Sequence, residues 1–565
     1  MNGILMMAIS IAVLGAAYLF YGRWLANKWG IDPAAKTPAY AYQDGVDYVP
    51  ADRHVVFGHQ FASIAGAGPI NGPIQAAVFG WLPVLIWILL GGVFFGAVQD
   101  FSAMYASVRN KGRTIGYVIE EYIGRLGKKL FLIFCWLFCI LVIAAFADVV
   151  AGTFNGFYVS PKGASTQIPA NGAVATTSML FIVEAVVLGF VLRFGRLGKW
   201  LNTAAALILL VAAIAFGLNF PIFVSRDIWH IIVFTYIFVA SVVPIWALLQ
   251  PRDYLNSYLL VAMIAAAVVG VFVSNPSINL PAFTGFDIDG QSLFPMMFVT
   301  IACGAVSGFH SLVSSGTASK QIKSENDMLP ISFGAMLMES LLAVIALIAV
   351  ASFAAGAAAK QGLVTPPQVF AGGIANFLTT LGLPSDIVFT LINLSVSAFA
   401  MTSLDSVARV GRLSFQEFFQ ASADEQPGAA HKFFMDKYVA TILTLLVAYL
   451  LSKAGYSAIW PLFGSSNQLL SALSLIACAV FLKRTRRAHF MMVIPIFFMI
   501  AVTFSALCIK VYQLSSGLAG GLSKNMFNDG LQLVMAVLVL LLGVCIAAQG
   551  VKALFGQRGA KGGAQ

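Results

Sequence analysis

Charged residues are scarce in this chain of 565 residues. Asp, Glu, Lys and Arg make up 10% of the sequence, whereas hydrophobic residues make up 59% and the mean hydropathy is +0.88. A soluble domain carries roughly 25% charged residues. The composition therefore excludes a string of soluble domains. It predicts an all-α membrane protein that crosses the bilayer many times.

Other absences narrow the class further. The six cysteines all lie within apolar runs, so a disulfide framework is not expected. No basic segment precedes the first apolar run, which is therefore predicted to be a retained span and not a signal peptide. No Walker A loop is present, which argues against ATP-driven pumping, and no cofactor is expected. We predict one transmembrane domain over residues 1–555 and a disordered tail at 556–565.

Apolar windows predict fifteen membrane-spanning helices. They cover residues 3–22, 57–79, 81–108, 130–153, 176–193, 200–218, 229–249, 254–273, 294–316, 329–355, 386–404, 434–452, 459–482, 489–512 and 530–552. If the N-terminus lies outside, all but six of the 33 lysines and arginines fall on the inside. The six exceptions are Lys162, Arg226, Lys360, Lys453, Lys510 and Lys524. This asymmetry predicts an outside N-terminus and an inside C-terminus. The net charge of +10 then faces the cytoplasm and lipid headgroups, not nucleic acid.

The second predicted span contains GHQFASIAGAGPINGP, residues 58–73, which is rich in helix-breaking glycine and proline. Irregular backbone persists at membrane depth only where it is buried in protein or lines a polar cavity. The stretch therefore predicts a broken helix whose backbone binds substrate. The alternative is a kinked helix that packs tightly. The candidate substrate-binding residues are Gly66, Ala67, Gly68, Pro69 and Asn71.

The ninth predicted span contains CGAVSGFHSLVSSGTASK, residues 303–320, in which glycines alternate with polar side chains. Hydroxyl oxygens and freed carbonyls can bind Na⁺, and a histidine can carry a proton. The alternative is that the hydroxyls bond to their own helix. Ser307 is assigned to the substrate site. The ion-coupling candidates are His310, Ser314, Ser315 and Thr317, with a Na⁺ site at Ser314 and Ser315.

Other polar residues lie at membrane depth. His59 and Asp100 are predicted at similar depth in spans two and three, where a pair could serve gating, proton relay or structure alone. Asn467 and Gln468 are costly in lipid, so we expect them to face a cavity or another helix, and we assign them to the substrate site.

Three further acids are functional candidates because they lie within spans, although the sequence does not indicate which of them titrates: Asp148, Glu184 and Glu339. By contrast, TSLDSVARVGR (402–412) indicates a cytoplasmic helix in which Asp405, Arg409 and Arg412 form internal ion pairs.

Six motifs in this order resemble the carbon starvation protein A family. They are FGHQFASIAGAGPINGP, GAVQDFSAMYASVRNKGRTIG, VVPIWALLQPRDYL, ACGAVSGFHSLVSSGT, TSLDSVARVGR and WPLFGSSNQLL, between about residues 50 and 490. Gln60 stands where the family pattern has a second histidine, so a His–His pair is not available. The resemblance implies an inner-membrane secondary transporter of peptides or pyruvate, with proton symport.

The resemblance also implies a LeuT-like fold with two inverted five-helix repeats, whose first and sixth helices are broken. Counting from span two places this core at about residues 57–404, flanked by spans in 1–23 and 434–552. It places the second break at Pro244 in span seven, and Ser314 and Ser315 opposite the first break. An inserted helix would change this numbering.

We therefore predict a carrier in the bacterial inner membrane, and not an enzyme, that imports pyruvate or short peptides with H⁺. A Na⁺-coupled carrier is the alternative. A membrane sensor or channel and a haem-type redox protein are alternatives of other classes. Haem would need paired histidines, yet only His59 and His310 are predicted near membrane depth. The expected partners are the substrate, the coupling ion and the lipid bilayer, with a homo-oligomer left open.

Overall fold

The computed structural model describes residues 2–44, 48–159, 165–194, 199–243, 248–288, 290–354, 356–360, 363, 365–420, 428–521 and 525–556. Helices α1 to α12 are Gly3–Ala16, Arg23–Trp29, Pro38–Ala41, Arg53–Ile64, Gly68–Ala76, Trp81–Gly91, Ala97–Arg109, Ile115–Tyr122, Arg125–Phe154, Pro169–Phe194, Lys199–Asn219 and Arg226–Val242. Helices α13 to α24 are Leu249–Ser274, Leu293–Ile301, Gly308–Gly316, Ala335–Ala351, Ala357–Lys360, Pro366–Leu378, Ser385–Phe418, Ala429–Met435, Lys437–Ser452, Tyr456–Arg484, Val493–Ala519 and Met526–Phe555.

Irregular turns and two small hairpins join these helices. The π-helical turns are Ala17–Gly22, Gly92–Gly96 and Leu329–Gly334. The 3-10 turns are Ala77–Phe79, Ala302–Gly304, Ala318–Lys320, Glu325–Asp327, Thr379–Leu381 and Phe490–Met492. The antiparallel strand pairs are β1 (Phe157–Val159) with β2 (Ser165–Gln167), and β3 (Asp287–Ile288) with β4 (Gln291–Ser292). Phe157 lies opposite Gln167, and Asp287 opposite Ser292.

Ten helical stretches of the described chain are long and apolar enough to cross a membrane. Three shorter apolar helices, Leu207–Asn219, Tyr258–Ser274 and Lys437–Ser452, coincide with predicted spans six, eight and twelve. Span two is divided between α4 and α5, and span seven coincides with α12. Every predicted window thus overlaps a described helix. Fifteen crossings and an outside N-terminus stay predictions.

Two helices are broken midway, and their breaks meet. Residues 65–67 separate α4 from α5, and residues 302–307 separate α14 from α15. α5 packs against α14 and the turn that follows it. A broken helix that faces span two is therefore span nine, whereas helix counting placed the second break at Pro244 of span seven. Pro244, like the tail residues 557–565, lies outside the described residues.

A helical hairpin accounts for this difference. α11 packs mainly against α10 and otherwise makes a small contact with α13, whereas α10 also packs against α19, α13 and α9. When this hairpin is left out, span nine is the sixth helix counted from span two. The predicted numbering counted both helices of the hairpin, because the hairpin is as apolar as a core helix and hydropathy alone does not separate the two.

The two broken helices each begin a series of helices with similar lengths. Each is followed by a helix with a π-helical turn, Trp81–Arg109 (29 residues) and Glu325–Ala351 (27 residues). α9 and α19 then have 30 and 34 residues, α12 and α21 have 17 and 16, and α13 and α22 have 26 and 29. α9 and α19 pack along each other, and α22 is buried against α9 and both halves of the broken span nine.

Helix α18 occupies a segment that the hydropathy windows treated as a loop. Nearly all of its residues are buried, and the Thr365 amide donates to Gln368 Oε1 at 3.0 Å at its start. It packs against α5, α13, α16 and α19. With 13 residues it is too short to cross a bilayer, so a search for spans does not find it.

Candidate functional site

The break in span two leaves backbone donors unused. Ala65 leaves the helical conformation with φ −75° and ψ 55°, and Ala67 caps α5 without a side-chain hydrogen bond. Within the described part of the chain, the N–H groups of Ala67, Gly68 and Ile70 donate to no protein acceptor. Buried donors without acceptors are costly. These amides are therefore available to an acceptor on a bound solute or water.

Glycines let the two broken helices approach each other. A Cβ atom at Gly68 would lie 2.5 Å from Cys303 Sγ, and one at Gly72 would lie 2.6 Å from the Ile301 carbonyl oxygen. Both distances are shorter than real Cβ contacts. The glycines of span two thus serve close packing as well as the break, and substrate binding by this stretch stays a prediction.

A small central cavity lies where the breaks meet. Its free volume is about 20 Å³, room for about one water molecule. The N-terminal ends of α5 and α15 both border it, and a helix N-terminus carries about half a positive charge. This arrangement favours a carboxylate. The lining residues are Ile64, Gly66, Gly68, Phe138, Val142, Phe146, Cys303, Ser307, Phe309, Ser403, Val407, Phe463 and Asn467.

Asn467 and Gln468 of α22 bind the broken part of span nine. Asn467 Oδ1 accepts from the Phe309 amide at 3.1 Å, and its Nδ2 donates to Ser307 Oγ at 3.0 Å. Gln468 Nε2 donates to the Phe298 carbonyl at 2.6 Å. Both amides therefore satisfy backbone groups freed by the break, and Asn467 also borders the central cavity.

Asp100, His310 and Glu339 form a fully buried group that we call the acid–histidine row. His310 Nδ1 lies 3.0 Å from Asp100 Oδ2 and is hydrogen-bonded to it. His310 Nε2 lies 3.1 Å from Glu339 Oε2, without hydrogen-bond alignment. With a protonated imidazole and two ionised acids the row carries one negative charge, and one further proton neutralises it. The row can therefore hold an exchangeable proton.

The predicted pair of His59 and Asp100 does not form. Asp100 binds His310 instead, because α7 packs against α15 and α22 rather than against α4. His59 is half-buried, and its Nε2 has no hydrogen-bond partner among the residues described here. The two residues predicted to act together thus lie in different environments.

The two serines predicted to share Na⁺ contact different neighbours. Ser315 Oγ accepts from the Ile115 amide at 3.0 Å and donates to a carbonyl one turn earlier in its own helix. Ser314 Oγ accepts from Gln60 Nε2 at 2.8 Å. Thr317 also donates to its own helix, as the back-bonding alternative predicts.

The sequence model of the family described as carbon starvation protein CstA matches residues 2–363 and 354–506. The chain belongs to the carbon starvation protein CstA family. The peptide transporter CstA of Escherichia coli K12 is 32% identical and aligns over 89% of this chain and 80% of its own. The pyruvate/proton symporter BtsT of the same organism is 31% identical and aligns over 90% of this chain and 82% of its own. A solved structure of a manganese transporter mutant from Eremococcus coleocola has a TM-score of 0.46 and 12% identity, covering 93% of this chain and 98% of that chain.

The family assignment confirms the resemblance inferred from the six motifs. Together with the apolar helices, it makes this CstA-family protein a multi-pass transporter of the bacterial inner membrane.

The other intramembrane acids of this CstA-family chain lie away from the row. Asp148 accepts from Arg226 Nε at 3.0 Å, from the Tyr456 amide at 2.6 Å, and lies 2.7 Å from His230 Nε2. His230 is buried here, and the sequence analysis did not single it out. Glu184 is half-buried, and its Oε2 has no hydrogen-bond partner among the described residues.

Asp405, Arg409 and Arg412 do not form the predicted internal pairs. Asp405 forms a buried ion pair with Arg252 of α13. Arg409 and Arg412 donate to carbonyls at the C-terminal end of α12, at 2.6 and 2.8 Å. Cations stabilise this end of a helix. The prediction was wrong because neighbouring helices supply closer partners than the next turn does.

Two buried amides complete the site. Both side-chain atoms of Asn71, a predicted substrate ligand, lack partners within the described structure. Gln99 is fully buried and contacts the break in span nine, but the sequence analysis did not single it out. Its position directly before Asp100 in the second family motif was the available signal.

Proposed function

We propose that this protein imports small carboxylates, pyruvate or short peptides, together with a proton. The observation that supports this most directly is the position of the acid–histidine row beside the central cavity. His310 directly follows Phe309, which lines the cavity. The relatives named as peptide transporter and pyruvate/proton symporter support the same substrates and ion.

The physical basis for coupling is electrostatic. A substrate carboxylate at the N-termini of α5 and α15 brings negative charge close to a row that is itself negative without its extra proton. Two like charges roughly 8 Å apart at an effective dielectric constant of about 20 repel by about 2 kcal/mol. Protonation of the row therefore favours substrate binding, and by linkage the substrate favours protonation. Joint binding of this kind is what symport requires.

We further propose that residues 53–484 form a LeuT-like core within one transmembrane domain of residues 1–555. The two series of five helices with matching lengths support inverted repeats, with the hairpin α10–α11 inserted in the first. This revises the predicted core at residues 57–404. In such a core, rocking of the broken helices against α9 and α19 exposes the site to each side in turn.

Substrate entry requires such a movement. A cavity of about 20 Å³ holds about one water molecule, which is smaller than pyruvate. Its apolar wall includes the rings of Phe138, Phe146, Phe309 and Phe463. Displacement of these rings, or separation of the two breaks, opens space beside the unpartnered amides of α5.

A Na⁺-coupled carrier is the second candidate. Gln60 Oε1 is buried without a partner in the described structure, beside the Gln60–Ser314 hydrogen bond and one turn before the break. Oxygen ligands in such a place suit Na⁺.

The test is uptake of labelled pyruvate and of a dipeptide into proteoliposomes, with pH and Na⁺ gradients imposed separately. An inward proton gradient should drive accumulation of at least one substrate, and a Na⁺ gradient alone should not. Accumulation driven by Na⁺ alone would favour the second candidate. Equilibration of substrate without accumulation under either gradient would indicate a channel and contradict the proposal.

A further inference from the structure

Gln99 links the acid–histidine row to the central cavity. Its Nε2 donates to the Ser307 carbonyl at 2.7 Å, and its Oε1 accepts from Ser471 of α22. The next residue of α7, Asp100, binds His310. Consecutive residues of one helix thus bind the first turn of α15, one at its backbone and one at its side chain.

The contact with Ser307 replaces a helical hydrogen bond. Ser307 is the N-cap of α15, with φ −136° and ψ 123°. The carbonyl of an N-cap residue normally accepts the first intrahelical bond, which here would come from the Ser311 amide. That bond is absent in the described structure, and Gln99 takes the carbonyl instead. The orientation of this N-terminus therefore depends on a side chain of α7.

Few other groups near the first turn of α15 could transmit a change of charge from the row to this turn. The titratable groups near the turn are Asp100 on α7, His310 on α15, Glu339 on α16 and the Cys303 thiol. From α22, the described contacts come from uncharged groups, namely Asn467, Ser471 and Ser474. When protonation of the row displaces His310, the first turn of α15 is displaced with it, because His310 belongs to that turn. Gln99 binds the backbone of the same turn at the Ser307 carbonyl.

We propose that Gln99 is a positioning residue that transmits the proton state of the acid–histidine row to the central cavity. This rests on the proposed function insofar as the cavity binds the substrate carboxylate. In a variant without the Gln99 side chain, the acid–histidine row should keep its contacts. The N-terminus of α15 should then no longer change position when the row gains or loses a proton.

Alkylation of Cys303 reports on the cavity without any substrate, because this thiol lines it. We would measure N-ethylmaleimide labelling of Cys303 in the full-length protein by mass spectrometry, at acid and neutral pH. At each pH we would divide the labelling rate of the variant by that of wild type. This ratio removes the effect of pH on the reactivity of the thiol itself. For Gln99→Met the ratio should change at least about fivefold with pH, the lower end of typical coupling. Ser102→Ala is the matched control, since Ser102 is buried on the same helix and donates to the Gln99 carbonyl at 2.9 Å. This variant removes a contact of the Gln99 backbone and keeps the Gln99 side chain that binds Ser307.

Gln99→Glu sharpens the test and covers a failure of Gln99→Met to fold. A protonated Glu donates to Ser307 and accepts from Ser471 as Gln does, whereas an ionised Glu does not donate. Its labelling should match wild type at acid pH and depart from it at neutral pH, and the KM for uptake should follow the same trend. A pH-independent ratio for both variants, or the same ratio change in Ser102→Ala, would overturn the proposal. If wild type shows no proton-driven uptake while these ratios still change, the proposed substrate and coupling fail and the role of Gln99 stands.

Discussion

The two broken helices differ in how their second halves begin. At the start of α5, the amides of Ala67, Gly68 and Ile70 have no acceptor within the described chain. At the start of α15, Asn467 accepts from the Phe309 amide, and Gln99 and Asp100 bind the same turn from α7. The helix turn after the break in span two therefore has unused amides, whereas side chains of α22 and α7 bind the helix turn after the break in span nine.

This difference indicates a division of labour. Unused amides beside a cavity are suited to binding a solute. The first turn of α15, which side chains of α7 and α22 bind and which carries His310, is suited to gaining and losing a proton. A kinked helix that only packs would need neither feature. The comparison can be tested by disturbing each break separately.

Removing Asp100, the acid of α7 that binds His310, should have the largest effect. Asp100→Ala leaves His310 beside Glu339 alone, and breaking a buried ion pair costs about 3–5 kcal/mol. We expect loss of proton-driven accumulation, and a lower unfolding temperature in a thermal-shift assay. Asp386→Asn, at an exposed acid of α19, should behave as wild type. Proton-driven accumulation at the wild-type rate in Asp100→Ala would remove the row from the mechanism.

Separating the two breaks should have the next largest effect. The backbone of α14 cannot yield to a methyl group at Gly72, so Gly72→Ala should cost about 1–3 kcal/mol through overpacking and abolish most uptake. Gly58→Ala is the matched control in the same span. A Cβ there meets nothing within 4 Å, and alanine favours helix by about 1 kcal/mol. Equal uptake by both variants would show that close contact of the breaks is unnecessary.

Removing the contacts of Asn467 with the first turn of α15 should have an intermediate effect. Asn467→Ala leaves the Phe309 amide and Ser307 without their partner, at a cost of about 1–3 kcal/mol. We expect a KM for uptake raised about tenfold. Asn467→Asp keeps the acceptor for Phe309 and should raise the KM less. An unchanged KM in Asn467→Ala would mean that these contacts do not shape the substrate site.

The hydroxyls of α15 should matter least. Ser315→Ala removes the acceptor of the Ile115 amide and should lower stability by about 1 kcal/mol without altering ion dependence. Ser314→Ala loosens Gln60 and should likewise leave proton-driven uptake within about twofold of wild type. Ion dependence is measured by comparing pH and Na⁺ gradients for each variant. A selective loss of Na⁺-driven uptake in Ser314→Ala would instead support the Na⁺ site.

Some of the site could be predicted from sequence because the signal is local. Glycine and proline in residues 58–73 reveal a break in any membrane helix, and a buried acid such as Glu339 is conspicuous among apolar neighbours. The partners of these residues could not be predicted. Asp100 and His310 are 210 positions apart, and His59 looked like the better partner only because its span is the neighbouring one.

Sequence alone established the membrane class, the family and the presence of a break near Ala67, because hydropathy, motif order and backbone chemistry are properties of short stretches. Only the tertiary structure decided that span nine meets this break, that α11 packs mainly against α10, and that His310 lies between two acids. These features depend on how helices far apart in the chain rotate and pack, and many such arrangements satisfy the same pattern of apolar windows.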